Sequence, residues 1–305
     1  MRNALAIAVI LATSALAAPP TAFRVQVAGH GRPMILIPGL SSSGDAWKGT
    51  VERYKDRYGT YTVTLAGFAG VPAIESRPLL AAVRDQLAKY IEENHLEKPI
   101  VVGHSLGGNV AMDLAATHPD LVGPIVIVDS LPFYANVMFR VDSLDAAKPM
   151  LDGMRAQFAT LTREQYDAYV KSHASTQFMV TKASDLDVIT EWGLKSDPKA
   201  VYDSMLELYG SDLRPSLAKI ASPTLVLGTW AGLHDQTKAY GMNLTKGMIA
   251  ETFRQQYQTL PKLHFAISET SRHFIMFDDP EWFHEQVDAF LANPAAATAD
   301  RGFTR

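Results

Sequence analysis

Seven short apolar runs, rich in β-branched residues, recur along the chain at 23–27, 34–37, 61–65, 100–102, 125–128, 224–227 and 263–267. Most are continuous rather than alternating, the pattern of strands covered on both faces. Between them lie stripes at helical spacing: Trp47, Val51, Tyr54 and Tyr58, then Leu80, Val83, Leu87, Tyr90 and Ile91. Strand–helix alternation from Met34 onward predicts an α/β architecture, a mostly parallel sheet with helices on both faces. The first run reaches the second through Gly29-His30-Gly31-Arg32-Pro33, which reads as a hairpin.

The rhythm breaks at 131–215. Val201, Met205, Leu208 and Tyr209 form one helical stripe there and 163–171 carries another, but no strand pattern occurs. The stretch is too long for a structureless loop, so it reads as a helical cap inserted into a core formed by 18–130 and 216–294. Residues 295–305 are small and polar, as expected of a flexible tail. At the other end, Met1-Arg2-Asn3 precedes an apolar stretch to Leu16, and Ala15-Leu16-Ala17 has the small-x-small form of a signal-peptidase site. The expectation is a signal peptide removed after Ala17, which places the product in a periplasm or outside the cell. The apolar stretch falls short of the roughly 20 residues a membrane span requires, so no stable membrane insertion is expected.

Composition narrows the chemistry. None of the 305 residues is cysteine, which excludes disulfides, Cys-ligated zinc, iron–sulfur clusters and a thiol nucleophile. A net charge of −4 without basic runs argues against nucleic acid as the main partner.

The informative segment is Gly103-His104-Ser105-Leu106-Gly107-Gly108, between the run at 100–102 and an alanine-rich helical stretch at 109–117. Gly-x-Ser-x-Gly alone is a weak pattern. Between a strand and a helix, however, it is the setting that presents a serine on a sharp turn. The serine needs a base. Of nine histidines, His104 points away from the hydroxyl beside it, His264 packs within a strand, and His30, His95, His118 and His284 read as solvated. His173 and His234 lie in or near the insertion. His273 follows the last strand directly, at the same end of a parallel sheet as Ser105, and is the candidate base. Oxyanion donors are expected from Leu106 N–H, next to the nucleophile, and from Leu40 N–H in the Pro38-Gly39-Leu40 loop after the second run.

With Ile37-Pro38-Gly39-Leu40 early, Gly-His-Ser-Leu-Gly-Gly at the turn and Ser271-Arg272-His273-Phe274 near the end, the chain resembles the α/β-hydrolase superfamily over nearly its whole length. The resemblance implies the α/β-hydrolase fold, a helical cap, and a carboxylate completing a triad with Ser105 and His273. In most relatives that acid follows the penultimate strand, where this chain has Gly232, with Asp235 three residues late. A minority carry it at the end of the strand after the elbow helix, where Asp129 stands. Asp129 is preferred and Asp235 remains the alternative. The implied activity is hydrolysis of a carboxylic ester or lactone through an acyl-enzyme, without cofactor or metal. Amide, C–C or perhydrolytic chemistry on the same fold, or a non-catalytic binding member, are the alternatives. Serine at the elbow sets the chain apart from dehalogenases and epoxide hydrolases, which resemble it but use aspartate there. Phe133, Tyr134, Phe139, Phe158, Trp192 and Tyr202 of the insertion read mostly as cap core, with those facing the sheet favouring an apolar acyl group.

Overall fold

The computed structural model describes residues 20–75, 78–239, 241 and 243–296. The signal peptide read at 1–17 and most of the tail at 295–305 lie outside the described residues. Each apolar run forms a strand: β1 (Phe23–Ala28), β2 (Arg32–Ile37), β3 (Tyr58–Leu65), β4 (Ile100–His104), β5 (Ile125–Val128), β6 (Thr224–Thr229) and β7 (Leu263–Ser268). They make one sheet in the order β1-β3-β2-β4-β5-β6-β7. Only β1 runs antiparallel to its neighbour, with Phe23 opposite Leu65; in the parallel remainder Met34 pairs with Ile100, His104 with Val128 and Leu227 with Ala266.

The hairpin expected between β1 and β2 does not form, because β3 lies between them. The glycines of that connection serve another purpose. A Cβ on Gly29, whose φ is +76°, would come within 2.3 Å of Lys55 O and 2.5 Å of Tyr58 O. The connection therefore presses onto the chain entering β3 and crosses its start, which only glycine permits. The first helical stripe also ends sooner than its spacing implies. A 3-10 turn (Gly44–Trp47) leads into α1 (Lys48–Tyr54), and Tyr58 opens β3 instead.

Helices α2 (Leu79–Glu93) and α3 (Leu106–Thr117) precede the insertion, which consists of α4 (Tyr134–Phe139), α5 (Leu144–Phe158), α6 (Arg163–Lys171), α7 (Ala183–Lys195) and α8 (Pro198–Tyr209). Then come α9 (Ala231–Ala239), α10 (Lys246–Gln256), α11 (Ile275–Asp278) and α12 (Pro280–Ala292). Strand side chains alternate between two cores, as a period of two requires. Ile35, Val101, Ile125 and Ile127 face α2, α3 and α10, whereas Met34, Val102, Val126 and Val128 face α1 and α12.

Local chemistry defines the insertion's helices. Ser143 caps α5, Thr162 and Gln165 form a capping box on α6, and Asp197 caps α8 ahead of Pro198. Its aromatics mostly pack on one another, as expected: Phe158 stacks on Tyr202 at 4.2 Å, and Phe133 is fully buried with Ala135 and Ala147. The insertion is tied to the sheet's edge by polar bonds. Both Glu207 oxygens accept backbone N–H groups of Leu79 and Leu80 at 2.8 Å, satisfying orphan donors at the start of α2. Asp197 N–H donates to Gly67 O at 2.8 Å. Among the described residues, no helix is long and apolar enough to cross a membrane.

Candidate active site

Ser105 directly follows β4 and stands at the N-cap of α3 with φ 52° and ψ −121°, a conformation that costs a non-glycine residue energy and persists only where its surroundings enforce it. The surroundings do so by contact. A Cβ on Gly103 would lie 2.2 Å from Gly107 O, and one on Gly107 2.3 Å from Ile37 O. Those two glycines let the turn close and let α3 dock against the end of β2. The chain after β2 is thereby pressed onto the elbow. A Cβ on Gly39 would sit 3.2 Å from Ser105 Cβ and 3.1 Å from His104 Nδ1. Leu40, the next residue, thus stands beside Ser105, as does Leu106, whose N–H belongs to the first turn of α3 and has no intrahelical acceptor.

His273 lies in the loop between β7 and α11. Its Nδ1–H donates to Asp129 Oδ2 at 2.6 Å, a short, charge-assisted bond. Asp129 directly follows β5 with φ 43°. Its other oxygen accepts from Thr229 N–H at 3.2 Å, at the end of β6. Burial raises the Asp129 carboxyl above its ordinary value, against the opposing pull of His273 and the Thr229 N–H. The loop itself is held at several points. Thr229 Oγ1 donates to Ser271 O, Ser271 N–H donates to Ser268 Oγ at 3.0 Å, and Phe274 N–H donates to Met179 O at 3.0 Å.

His104 is fully buried, with its ring 4.5 Å from those of both His273 and Phe274. Its Nε2–H donates to the His273 carbonyl at 3.0 Å. Nδ1 then carries no proton and has no partner. Burial holds this imidazole well below its usual value, so it stays neutral. The sequence reading turned His104 away from the hydroxyl; the structure adds that it props the loop bearing His273.

Asp235 is elsewhere. It lies inside α9, accepts from Arg272 Nη2 at 3.0 Å and lies 3.3 Å from His234 Nδ1. Arg272 also donates through Nη1 to Gln177 O and Val180 O at 3.0 and 2.8 Å, and through its backbone N–H to Asp278 Oδ2 at 2.8 Å. Asp235 thus balances an arginine that ties the insertion to the His273 loop. The sequence reading of His284 as solvated is corrected: it is half-buried in α12, edge-on to Tyr54 at 5.6 Å, and burial lowers its basicity.

Three contributors escaped the sequence reading as site residues. Thr229 and Arg272 are recognisable only through partners distant in the chain. Tyr134 was grouped with the cap's aromatics, yet its hydroxyl donates at 3.1 Å to Ser130 Oγ, on the residue next to Asp129. Its one signal in sequence is its position five residues after Asp129. Among the described residues, His273 bonds through Nδ1 to Asp129 and through its carbonyl to His104, and its Nε2 makes no hydrogen bond to Ser105 Oγ. Such catalytic bonds commonly tighten only with substrate present. No group of three or more His, Asp or Glu among the described residues is placed to hold a metal ion.

A model of the alpha/beta hydrolase family matches residues 34–286. Similar curated proteins include the pimeloyl-[acyl-carrier protein] methyl ester esterase of Vibrio cholerae, 29% identical over 203 residues covering 66% of this chain and 76% of that one. The enzyme of the same name from Vibrio vulnificus is 27% identical over 272 residues, 87% of this chain and 96% of that one. Among solved structures, an esterase from Exiguobacterium antarcticum superposes with a TM-score of 0.68 at 15% identity, covering 89% of this chain and 96% of that one. MenH from S. aureus does so with a TM-score of 0.70 at 16% identity, covering 90% and 99%. At such identities the likeness to these structures is one of fold.

Proposed function

The chain belongs to the alpha/beta hydrolase family, and from that premise we propose that it hydrolyses a carboxylic ester, or a lactone, through an acyl-enzyme on Ser105. The observation that carries this reading is the 2.6 Å bond between His273 Nδ1 and Asp129, beside a serine held at positive φ on a strand-to-helix turn. Ser105 Oγ attacks the ester carbon while His273 Nε2 takes its proton. Asp129, accepting the Nδ1 proton, keeps the imidazole in the tautomer whose Nε2 is free to act, and stabilises the imidazolium. The N–H groups of Leu40 and Leu106 receive the developing oxyanion. Collapse of the tetrahedral intermediate expels the alcohol, protonated by His273. Water, deprotonated by the same imidazole, then releases the acid.

The methyl ester esterases among the relatives support a small alcohol as leaving group. The helical insertion, with its packed aromatics, supports a small-molecule acyl ester as substrate. The sequence features at 1–17 support export to a periplasm or the medium after cleavage behind Ala17. N-terminal sequencing of the exported protein should begin at Ala18, and a chain retaining Met1 in a cytosolic fraction would refute that part.

The deciding experiment compares wild type and Ser105→Ala on a panel of p-nitrophenyl and methyl esters. A loss in kcat of about 10^6-fold, down to the residual rate supplied by binding and oxyanion donors, is expected. Intact-mass detection of one fluorophosphonate adduct, absent in Ser105→Ala, should accompany it. Equal rates from the two proteins would sink the esterase reading.

A further inference from the structure

Two adjacent aspartates stand where α11 gives way to α12, and only one of them serves the helix that follows. Asp279 accepts from Trp282 N–H at 3.1 Å and caps α12. Asp278 is engaged elsewhere. Its Oδ2 accepts the backbone N–H of Arg272 at 2.8 Å, and its Oδ1 accepts the N–H and the hydroxyl of Thr181 at 2.8 and 2.7 Å. Bonds to a carboxylate are charge-assisted and stronger than neutral ones. One side chain thus joins the residue before the catalytic histidine to the connection between α6 and α7.

The bond to Arg272 closes the chain on itself around His273, from 278 back to 272. On the other side of the histidine, Phe274 N–H donates to Met179 O at 3.0 Å. The residues before and after His273 are therefore both fixed, and both fixings lead to 179–181, one directly and one through Asp278. That part of the insertion is itself seated firmly. Val180 is buried in the same core as Phe274 and Ile275, and Phe178 O lies against Gly232. The Arg272 guanidinium braces the same segment from a separate direction, through Gln177 O and Val180 O. His273 must meet Asp129 at 2.6 Å through Nδ1 while Nε2 faces Ser105. A misplacement of about 1 Å in such a group can cost about a hundredfold in rate.

We propose that Asp278 is a positioning residue of the ester-cleaving reaction: it sets the backbone on which His273 stands, and through Thr181 it makes the insertion part of that support. The carboxylate takes no part in making or breaking bonds. It acts by holding the imidazole where one ring nitrogen reaches Asp129 and the other reaches the nucleophile. Asparagine at 278 would keep the size of the side chain but offer one acceptor oxygen and an amide that only donates. The N–H of Arg272 or that of Thr181 would then face another donor, and the loop would lose one of its two fixings.

The inference rests on the esterase reading, and the test separates the two. Wild type, Asp278→Asn and Asp279→Ala are compared on a methyl ester and by the rate of fluorophosphonate labelling at Ser105, well below all three thermal midpoints. Asp278→Asn should lose about tenfold in kcat and in labelling rate with KM within about threefold of wild type, as expected when the loss falls on the transition state. Asp279→Ala removes the cap of α12 and should lower the thermal midpoint, with both rates staying within about twofold of wild type. Rates of Asp278→Asn within about twofold of wild type, a change in KM alone, or an equal loss in Asp279→Ala would overturn the proposal and leave the esterase reading intact. A wild type that neither hydrolyses esters nor labels at Ser105 would instead break the esterase reading. Thr181→Val tests the insertion's share, because it removes one donor from the carboxylate and leaves the Arg272 bond in place; both rates should fall about threefold. It also carries the test should Asp278→Asn fail to fold, and rates equal to wild type would overturn the proposal.

Discussion

The ends of β5 and β6 are neighbours in the sheet, and each is followed within a few residues by an aspartate. After β5 the chain leaves the strand through a single residue at φ 43°, and that residue, Asp129, meets His273 at 2.6 Å. After β6, which ends at Thr229, it passes through Trp230 directly into α9, whose turn carries Asp235 off to Arg272. The position most relatives would use, Gly232, has no room for a side chain. A Cβ there would meet Phe178 O, from the insertion's backbone, at 2.8 Å and Arg272 Cβ at 3.4 Å. The insertion thus occupies the volume a carboxylate after β6 would need, and the carboxylate comes from the adjoining strand. A charged group's part in a site is decided by which strand end leaves space beside the histidine, more than by its spacing along the chain.

The contrast between these strand ends can be broken most directly by removing one carboxylate at a time. Asp129→Asn should reduce kcat about 10^4-fold on an ester substrate by favouring the wrong imidazole tautomer. Asp235→Asn should stay within about threefold of wild type, as expected of a half-exposed ion pair. A large loss with Asp235→Asn alone would reverse the comparison. Gly232→Asp in the Asp129→Asn background should restore nothing, and should cost about 1–3 kcal/mol of stability by overpacking against Phe178; urea denaturation reads the second effect and hydrolysis the first.

A smaller effect is expected from Arg272→Ala. It unties the backbone of 177–180 from the His273 loop while leaving the Asp129–His273 bond in place, so a fall in kcat of about tenfold is predicted, with KM changing less. A KM change alone would mean that Arg272 holds only the substrate pocket. Smallest is the pH effect from the neutral, buried His104 and His284. Both are held below their ordinary basicity in the folded chain, so the unfolded chain takes up protons first as the pH falls. Stability from this source is fully present above about pH 6.5, the unfolded value, and is lost as pH falls through the folded-state values. The thermal midpoint should therefore drop between pH 7.5 and 5, and His284→Phe, which packs on Tyr54 without titrating, should drop less. Equal slopes would remove His284 from the account.

Much of the fold was legible because it is written locally. Most strands of the sheet are continuous apolar runs whose side chains alternate between two cores, so a short window suffices to find them. The elbow was legible for the same reason: its glycines and its serine are contiguous. The partnership of β1 with β3 rather than β2 was not, since it depends on a strand thirty residues further on filling the gap. Thr229, Arg272 and Tyr134 were illegible as site residues because their polar atoms acquire meaning only from groups far away in the chain.

By itself, the order of residues determined the class of sheet, the elbow serine at Ser105 and the strand end from which His273 must come, since parallel strands bring all their following loops to one edge. It left two aspartates open. Only the tertiary structure set Asp129 against the imidazole, gave Asp235 to Arg272 and joined Thr229 to the His273 loop. Those choices turn on a few ångströms of space between loops from different strands, and space of that kind exists only once the sheet and the insertion have packed.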